Sequence, residues 1–596
     1  MITKNRFDRI VSAFLKWRIR HIDDQQFLII LSIALGVETG FVVVVLKSTV
    51  HFIKASLEGD FLSAVVHYFH FLLPMLGIIL TVLIVNRLKK GRMDKGVPSI
   101  LYAIGRNSSK ISGRNMWLQP LASAFTVGFG GSVGLEAPVA LTGASWGSYY
   151  GRVFHMNRQQ TTLLLGCGAS AGIAAIFNAP VAGVLFALEV ILPNISITFL
   201  IPLLIASVSG MLTSKLLMGD QVLFHFTLVR QIENSDYLFY GLLGVVSGLM
   251  AVYFIRVVGR VEAKLRSIDH LYKRIITGAV VLGVLILVLP TLYGEGYWAL
   301  SYAIQGDADR ILETSIWGKL PYSQWLMLGF LFVSMMLKAV ATGITRAAGG
   351  IGGIFAPAMF TGGVAGFLFA RLLNLVEPSL DLSEANFTLV GMAGVSCGIL
   401  HSPLTKIFLI AEITNGYQLF VPLMLTAAIG FAIKLYFEPH SFYTKSLIEQ
   451  GDYIVHDHDR SVLHHIRMTG LIEKDFVVVK EDAFLKDLVE AIAESNRNIF
   501  PVVDDEQRLK GIILLNDVRK LIFKPELYET EQVRYLMKKP PTVIDLHEEM
   551  EEVMDKFEKT NAWNLPVVTN GQYIGFMSKS KILSKYRIEL RKQTQR

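Results

Sequence analysis

The side chain with the most chemistry to offer is Glu136, in the stretch Gly131-Ser132-Val133-Gly134-Leu135-Glu136-Ala137-Pro138. Its surroundings, 121–150, are apolar and broken by glycines. An acid at a helix start inside a bilayer costs about 3 kcal/mol on insertion scales. The free backbone N–H groups of that helix end, carrying about half a unit of positive charge, would offset the cost. A second stretch, Gly352-Gly353-Ile354-Phe355-Ala356-Pro357, has the same form without the acid. In both, glycine lets the backbone approach an ion closely, and proline in the first helical turn sacrifices no hydrogen bond. Two such ends suit a small anion, with the amides of Gly134, Gly353, Ile354, Phe355 and Ala356 as its candidate ligands. The Glu136 carboxylate can fill the same place as a tethered anion. Protonation would remove its charge and let the free ion in, so the pattern reads as a gate and a candidate proton carrier. A carboxylate that only caps its helix is the plainer reading.

Elements that hold such ends in place must lie in a membrane. Of 596 residues, 52% are hydrophobic and 18% charged, too little charge to cover a soluble protein of this size. Apolar runs follow one another from about 27 to 433, clearest at 27–46, 71–85, 198–214, 238–255, 275–293, 322–337 and 419–433. Some reach the ~20 residues that span a bilayer, and others fall short. The glycine-broken segments 121–150 and 344–370 predict helices that stop inside the membrane, which is tolerated only against a cavity or buried in protein.

The two glycine stretches belong to a repeat. Gly130 to Pro138 matches Gly349 to Pro357 at a constant offset, 349 − 130 = 219 and 357 − 138 = 219, continuing to Thr142-Gly143 and Thr361-Gly362. Later, Asn178-Ala179-Pro180 precedes Glu189 by the step that separates His401-Ser402-Pro403 from Glu412. Matching halves with interrupted helices are the pattern of transporters whose site lies at the repeat interface.

The net charge of +8 fits cytoplasmic loops rich in lysine and arginine, so no nucleic acid partner is expected. The first residues, 1–24, are charged throughout, which predicts a cytoplasmic N-terminus and no cleavable leader. Basic stretches at 87–95, 106–114 and 256–274 would share that side. Cys167 and Cys397 sit in apolar runs and read as packing residues rather than as a disulfide or metal ligands. From about 448 the chain becomes polar, and two copies of a strand–helix–strand–strand pattern follow. The strands are expected at 476–479, 500–504 and 511–513, then at 541–544, 565–568 and 575–577. The helices are expected at 485–495 and 550–559.

At these residues the chain resembles the CLC chloride channel and transporter family. Gly353-Ile354-Phe355-Ala356-Pro357 matches that family's GIFAP motif, and Gly134-Leu135-Glu136-Ala137-Pro138 is similar to its GREGP motif, with Leu and Ala as departures. The C-terminal copies resemble a CBS-domain pair. The resemblance implies an all-α polytopic membrane domain with an inverted-topology repeat, plus an α/β cytoplasmic CBS pair. It implies a homodimer with one pore per subunit in a lipid bilayer, moving chloride or another small anion, with Glu136 as the gate. No enzymatic activity, metal or required cofactor is implied. His440-Ser441-Phe442-Tyr443 fits the end of the family's last helix, where a tyrosine hydroxyl touches the anion. The domain boundaries follow: 1–447 for transport, with halves about 26–217 and 236–437, a linker at 448–467, and CBS copies at 468–525 and 530–590. The setting is a plasma or inner membrane with both termini cytoplasmic.

Two departures bear on mechanism. Where the family reads GSGIP, this chain has Asp94-Lys95-Gly96-Val97-Pro98, with Lys95 for the serine that faces the anion. An ammonium there would hold anions more tightly or pair with Glu136; a lysine reaching to cytoplasmic water is the plainer reading. Antiporters of the family carry two adjacent glutamates after a Leu-Phe-x-x stretch. Here Leu185-Phe186-Ala187-Leu188 leads to Glu189 and Val190, so the proton-pathway position holds a valine. Passive conduction is the expectation, with chloride/proton antiport as the alternative, and Glu189, matched by Glu412, reads as structural. In the CBS pair the nucleotide turn is split. Asp517 keeps the ribose aspartate, Ser578 keeps the hydroxyl, and Leu514 and Lys581 replace their counterparts. An adenine nucleotide (ATP, ADP or AMP) or a ligand-free scaffold are the two readings.

Two other motifs point elsewhere and fail, and one rival from another class stays as a remote alternative. Gly168-Ala169-Ser170-Ala171-Gly172 lacks the strand that a nucleophile elbow needs and reads as helix packing. His547-Glu548-Glu549-Met550 lacks the second histidine of a zinc motif. A CBS-bearing divalent-cation transporter would want converging intramembrane acids.

Overall fold

The computed structural model describes residues 14–18, 20–58, 70–89, 96–192, 199–219, 224, 232–313, 315–321, 323–448, 466 and 468–595. The chain divides into two compact units, 1–453 and 454–596. Most of the expected linker, and Lys95, lie outside the described residues.

The first unit is helical. Among the described residues, eight helices are long and apolar enough to cross a membrane, from Asp24–Leu57 through the one that begins at Phe420. Others are short, among them Pro180–Ile191 and Glu384–Leu400. Ile30, Ile33, Val37, Phe41 and Val45 form an exposed apolar stripe along the first span. A stripe of that length belongs against lipid.

The repeat is visible in how helices start and stop. Asn157 and Gln160 cap the Arg158–Phe177 helix reciprocally, and Asn178 ends it in the left-handed region at φ 54°. Its mate, Glu384–Leu400, starts on Ser383 and ends at His401 at φ 55°. Pro180 and Pro403 then open the next short helices. Glycines let the long helices pack backbone to backbone. A methyl on Gly143 would collide with the Gly168 carbonyl, and one on Gly362 with that of Gly391. The Gly168–Gly172 motif is thus a helix contact. Gly244 and Gly248 find their partner in the Phe420–Phe437 helix, against Ile429 and Ile433.

The second unit holds two three-stranded sheets. Strand β1 (Val479–Lys480) runs parallel to β2 (Ile499–Val503), which pairs antiparallel with β3 (Leu509–Leu514). Strands β4 (Ile544–Asp545), β5 (Asn564–Thr569) and β6 (Gln572–Ser578) repeat this order. The first strand of each copy is shorter than the sequence suggests. Phe476 turns away to meet Phe576, ring centroids 4.6 Å apart, and Pro541 lacks an N–H for a ladder. The copies also trade edges. Glu473 bridges to Phe576 in β6, and Lys538 bridges to Ile512 in β3, each by a reciprocal pair of backbone bonds of 2.8–2.9 Å.

Candidate functional site: three helix starts around Glu136

Backbone ties the two glycine stretches together. Gly134 N–H donates to the Gly353 carbonyl at 2.9 Å, and Gly353 N–H donates to the Gly134 carbonyl at 2.7 Å. Flanking this pair, Ser132 N–H donates to Thr345 Oγ1 (3.2 Å) and Ile351 N–H to Thr126 Oγ1 (3.0 Å), equivalent bonds across the repeat. The starts of the Glu136–Val153 and Phe355–Val376 helices therefore face one place. No side chain fits between them: a methyl on Gly353 would lie 2.9 Å from the Ala137 β-carbon.

A third start joins them. Gly96 caps the Val97–Arg106 helix with φ 68°, a value that favours glycine, and Pro98 sits in the first turn. A methyl on Gly96 would lie 3.0 Å from the same Ala137 β-carbon. Gly96, Gly134 and Gly353 thus let three helix starts meet at the Glu136–Ala137 corner, the arrangement that favours an anion. The Gly134 and Gly353 amides, expected from sequence as anion ligands, are instead spent on each other, and the amides after them remain.

Glu136 opens its helix there, 2% exposed. Its Oε1 accepts a hydrogen bond from the Tyr297 hydroxyl at 3.0 Å, while its Oε2 has no hydrogen-bond partner. Tyr297 starts the Tyr297–Gln305 helix after Gly294-Glu295-Gly296. The Glu295 carboxylate takes a hydrogen bond from Leu135 and lies within electrostatic range of Glu136, Lys47, Lys54 and Lys338. Tyr297 and Glu295 were not found from sequence. The only signal is an acid in a glycine-flanked helix start.

Ile354, Phe355 and Ala356 are buried at their helix start. The Phe355 ring stacks on Phe177, centroids 5.3 Å apart, and the Lys406 ammonium lies 2.7 Å from its centre. Tyr443 is 2% exposed and within electrostatic range of Glu136. It opens a separate short helix, Phe442–Ile448, rather than ending the preceding one. Pro439 after Phe437 explains the correction, because helices end before a proline. The short helix packs on Val97–Arg106, whose start joins the other two.

Val190 is buried in a π-helical turn, Ala187–Ile191, that follows Pro180–Phe186. Its neighbour Glu189 accepts hydrogen bonds from Leu404 N–H (2.9 Å), Thr405 N–H (2.8 Å) and the Thr405 hydroxyl (2.6 Å) at the start of the Pro403–Ile413 helix. Glu412 does the same for Val181 and Ala182, both at 2.9 Å, at the start of Pro180–Phe186. The two repeats cap each other.

The second unit holds a cavity of about 480 Å³ lined by Glu473, Arg497, Trp563, Asn564, Ser578 and Lys581, among others. The Ser578 hydroxyl donates to Glu473 at 2.8 Å, and Arg497 also binds Glu473 at 2.6 Å. A hydrogen bond from Arg497 holds the exposed Asp475 carboxyl below its usual range. Asp517 does not line this cavity and accepts from Lys538 at 2.9 Å, so the two candidate nucleotide residues do not meet there. The carboxylate beside Ser578 is Glu473. It comes from the edge-trading segment, so sequence spacing within one copy does not reveal it.

Comparison with known proteins gives the family and the fold. The family described as "Voltage gated chloride channel" matches residues 76–435, and the CBS domain family matches 469–524 and 533–587. The chain is 27% identical over 365 residues to a putative chloride channel protein, ClcB-like, of Ralstonia nicotianae, covering 60% of this chain and 80% of that protein. It is 25% identical over 460 residues to chloride channel protein CLC-f of Arabidopsis thaliana, covering 68% of this chain but 57% of that protein. Its fold is similar to the crystal structure of a slow cyanobacterial Cl⁻/H⁺ antiporter, at 22% identity and TM-score 0.62 over 72% of this chain and 98% of that one. The chain is a multi-pass membrane protein of the voltage-gated chloride channel (CLC) family that carries a C-terminal CBS-domain pair.

Proposed function

We propose that the chain moves small inorganic anions, chloride foremost, as a homodimer with one Glu136-gated pore in each subunit, and that conduction is passive. The observation that carries this reading is the Glu136 carboxylate lodged where three helix starts converge, one oxygen unpartnered. The Gly134 and Gly353 amides are spent on each other, so the site's positive charge is the amides that follow them, those of Glu136 and Ala137 and of Ile354 to Ala356, with the Tyr443 hydroxyl beside them. With Glu136 ionised, the carboxylate competes with the anion for those amides. Protonated, it loses its attraction to them and leaves the site to the free ion. Val190 supports passive conduction, because a valine cannot relay a proton. Antiport is the second reading. Tyr297 and Glu295 next to Glu136 favour it, as does the similarity to a Cl⁻/H⁺ antiporter. Lys95 is an expected further anion ligand. The membrane is the plasma or inner membrane, with both termini in the cytoplasm.

Purified protein in liposomes tests this. A chloride gradient is imposed while chloride and external pH are recorded. Chloride efflux without proton movement is expected, and proton movement driven uphill by chloride would establish antiport instead. For the second unit, we propose an adenine nucleotide in the Ser578 cavity. Lys581 suits a phosphate, Trp563 a base, and Glu473 can take the ribose role that Asp517 does not serve here.

A further inference from the structure

Among the described residues, three lysines are fully buried in the membrane unit: Lys338, Lys406 and Lys434. Two have satisfied ammoniums. Lys338 donates to the Gly294 carbonyl at 2.8 Å, and Lys434 to the His440 carbonyl at 2.5 Å and to His401. Lys406, 1% exposed, has no hydrogen-bond partner. Its ammonium lies over Phe355, at the second helix start of the anion site. A buried ammonium without a partner is unstable unless something charged completes it.

The acids near Lys406 are Glu136 and Glu189. Glu189 is committed to Leu404 and Thr405. Glu136 keeps Oε2 unpartnered, yet it does not touch Lys406. Two unpartnered groups of opposite charge therefore border one place without meeting. The repeat shows that the fold does not demand a lysine. The offset 403 − 180 = 223 pairs Lys406 with Gly183, since 406 − 183 = 223. In the first half no side chain is tolerated there: a methyl on Gly183 would lie 2.6 Å from the Ser170 carbonyl and 2.8 Å from Ser207 Oγ.

We infer that the Lys406 ammonium is a direct ligand of the transported anion, a cation added to the amide site by the second half alone. The inference rests on the reading of the Glu136–Phe355 corner as the anion site. The ammonium acts as a point charge, so it strengthens binding for any small anion and slows release. It distinguishes this site from one built of neutral amides only.

Chloride binding to the purified full-length protein, measured by calorimetry, tests it. Lys406→Met keeps the length and apolar body, Lys406→Arg keeps the charge, and Lys406→Gly copies the first-half residue. Chloride affinity is expected to fall at least tenfold in the Met and Gly variants and to stay within about threefold of wild type in the Arg variant. Repeating the series in a Glu136→Gln background separates the two partners. The loss persists there if the anion is the partner, and it vanishes if Lys406 serves only to balance Glu136, which would overturn the inference. Unchanged affinity in Lys406→Met or in Lys406→Gly, whichever folds, overturns it equally. Wild-type protein that neither binds nor passes chloride would instead defeat the reading of the site itself.

Discussion

Replacing Glu189 separates a structural carboxylate from a proton carrier. Its two oxygens receive three hydrogen bonds at 2.6–2.9 Å, two of them from Thr405. A hydrogen bond to a charged acceptor contributes about 1.5–3 kcal/mol. Leu404 is 48% exposed, so solvent or lipid headgroups can replace its bond, and the two from Thr405 dominate. The freed Thr405 hydroxyl can turn back to its own helix, which recovers part of the loss. Glu189→Ala should therefore destabilise the membrane unit by about 3 kcal/mol. Glu412→Ala removes two amide bonds of 2.9 Å, with no freed hydroxyl to recover part of the loss, and should cost at least as much, about 3–6 kcal/mol by the same reckoning. Glu189→Gln keeps one acceptor oxygen and should cost roughly half as much as the alanine change. The assay is denaturant unfolding in detergent micelles, followed by tryptophan fluorescence, with chloride efflux measured on the same preparations. Parallel losses of stability at 189 and 412, with efflux per folded protein unchanged in Glu189→Gln, are expected. A Glu189→Ala variant as stable as wild type, or one stable next to a collapsed Glu412→Ala, would refute the reciprocal cap.

Glu136→Gln should raise chloride efflux at neutral pH and remove its pH dependence, measured from roughly pH 5 to pH 8, the range in which a gating acid acts. Gly134→Ala would drive a methyl into the Glu136 carboxylate and to 2.9 Å from the Ala356 β-carbon. It should fold with a loss of about 1–3 kcal/mol and raise neutral-pH efflux toward that of Glu136→Gln. Calorimetry with ATP, ADP and AMP should detect binding that Lys581→Glu abolishes. Asp517→Asn should leave it unchanged, because Asp517 is tied to Lys538 away from the cavity.

Sequence revealed the parts of this molecule that depend on local spacing. Glycine followed by proline at 96–98, 134–138 and 353–357 encodes three helix starts, and the constant offset between the last two encodes their mutual pairing. The strand–helix–strand–strand rhythm of the second unit was legible for the same reason, apart from the first strands, which Phe476 and Pro541 shorten. What sequence concealed are partners set by tertiary closure. Tyr297 reaches Glu136 from 161 positions away. Glu473 lies in the first CBS copy but serves the cavity at β6 of the second. Tyr443 opens a helix of its own rather than ending the preceding one, because a proline break and a helix end look alike without coordinates. Lys406 carries a signal, a lone lysine in the apolar run 403–413, that only its lack of a hydrogen-bond partner turns into chemistry.

The repeat also explains where chemistry resides. Positions that build the scaffold are matched across the halves: Gly134 with Gly353, Thr126 with Thr345, Glu189 with Glu412. Positions that face the proposed ion path are not. Glu136 is the mate of Phe355, since 355 − 136 = 219, and Lys406 is the mate of Gly183. An acid in one half thus confronts an aromatic ring in the other, and that ring lies under a lysine whose own mate has no side chain. A strictly symmetric site would place either two carboxylates or none at the helix starts. Two would repel each other across a shared anion site, and none would leave it without a gate. Breaking the symmetry at these two pairs supplies one negative and one positive side chain to a cradle of neutral amides. A symmetrising exchange, Lys406→Gly, keeps every matched scaffold pair and should therefore fold while losing anion affinity. The reverse exchange, Gly183→Lys, should fail to fold, because that position has no room for a single methyl.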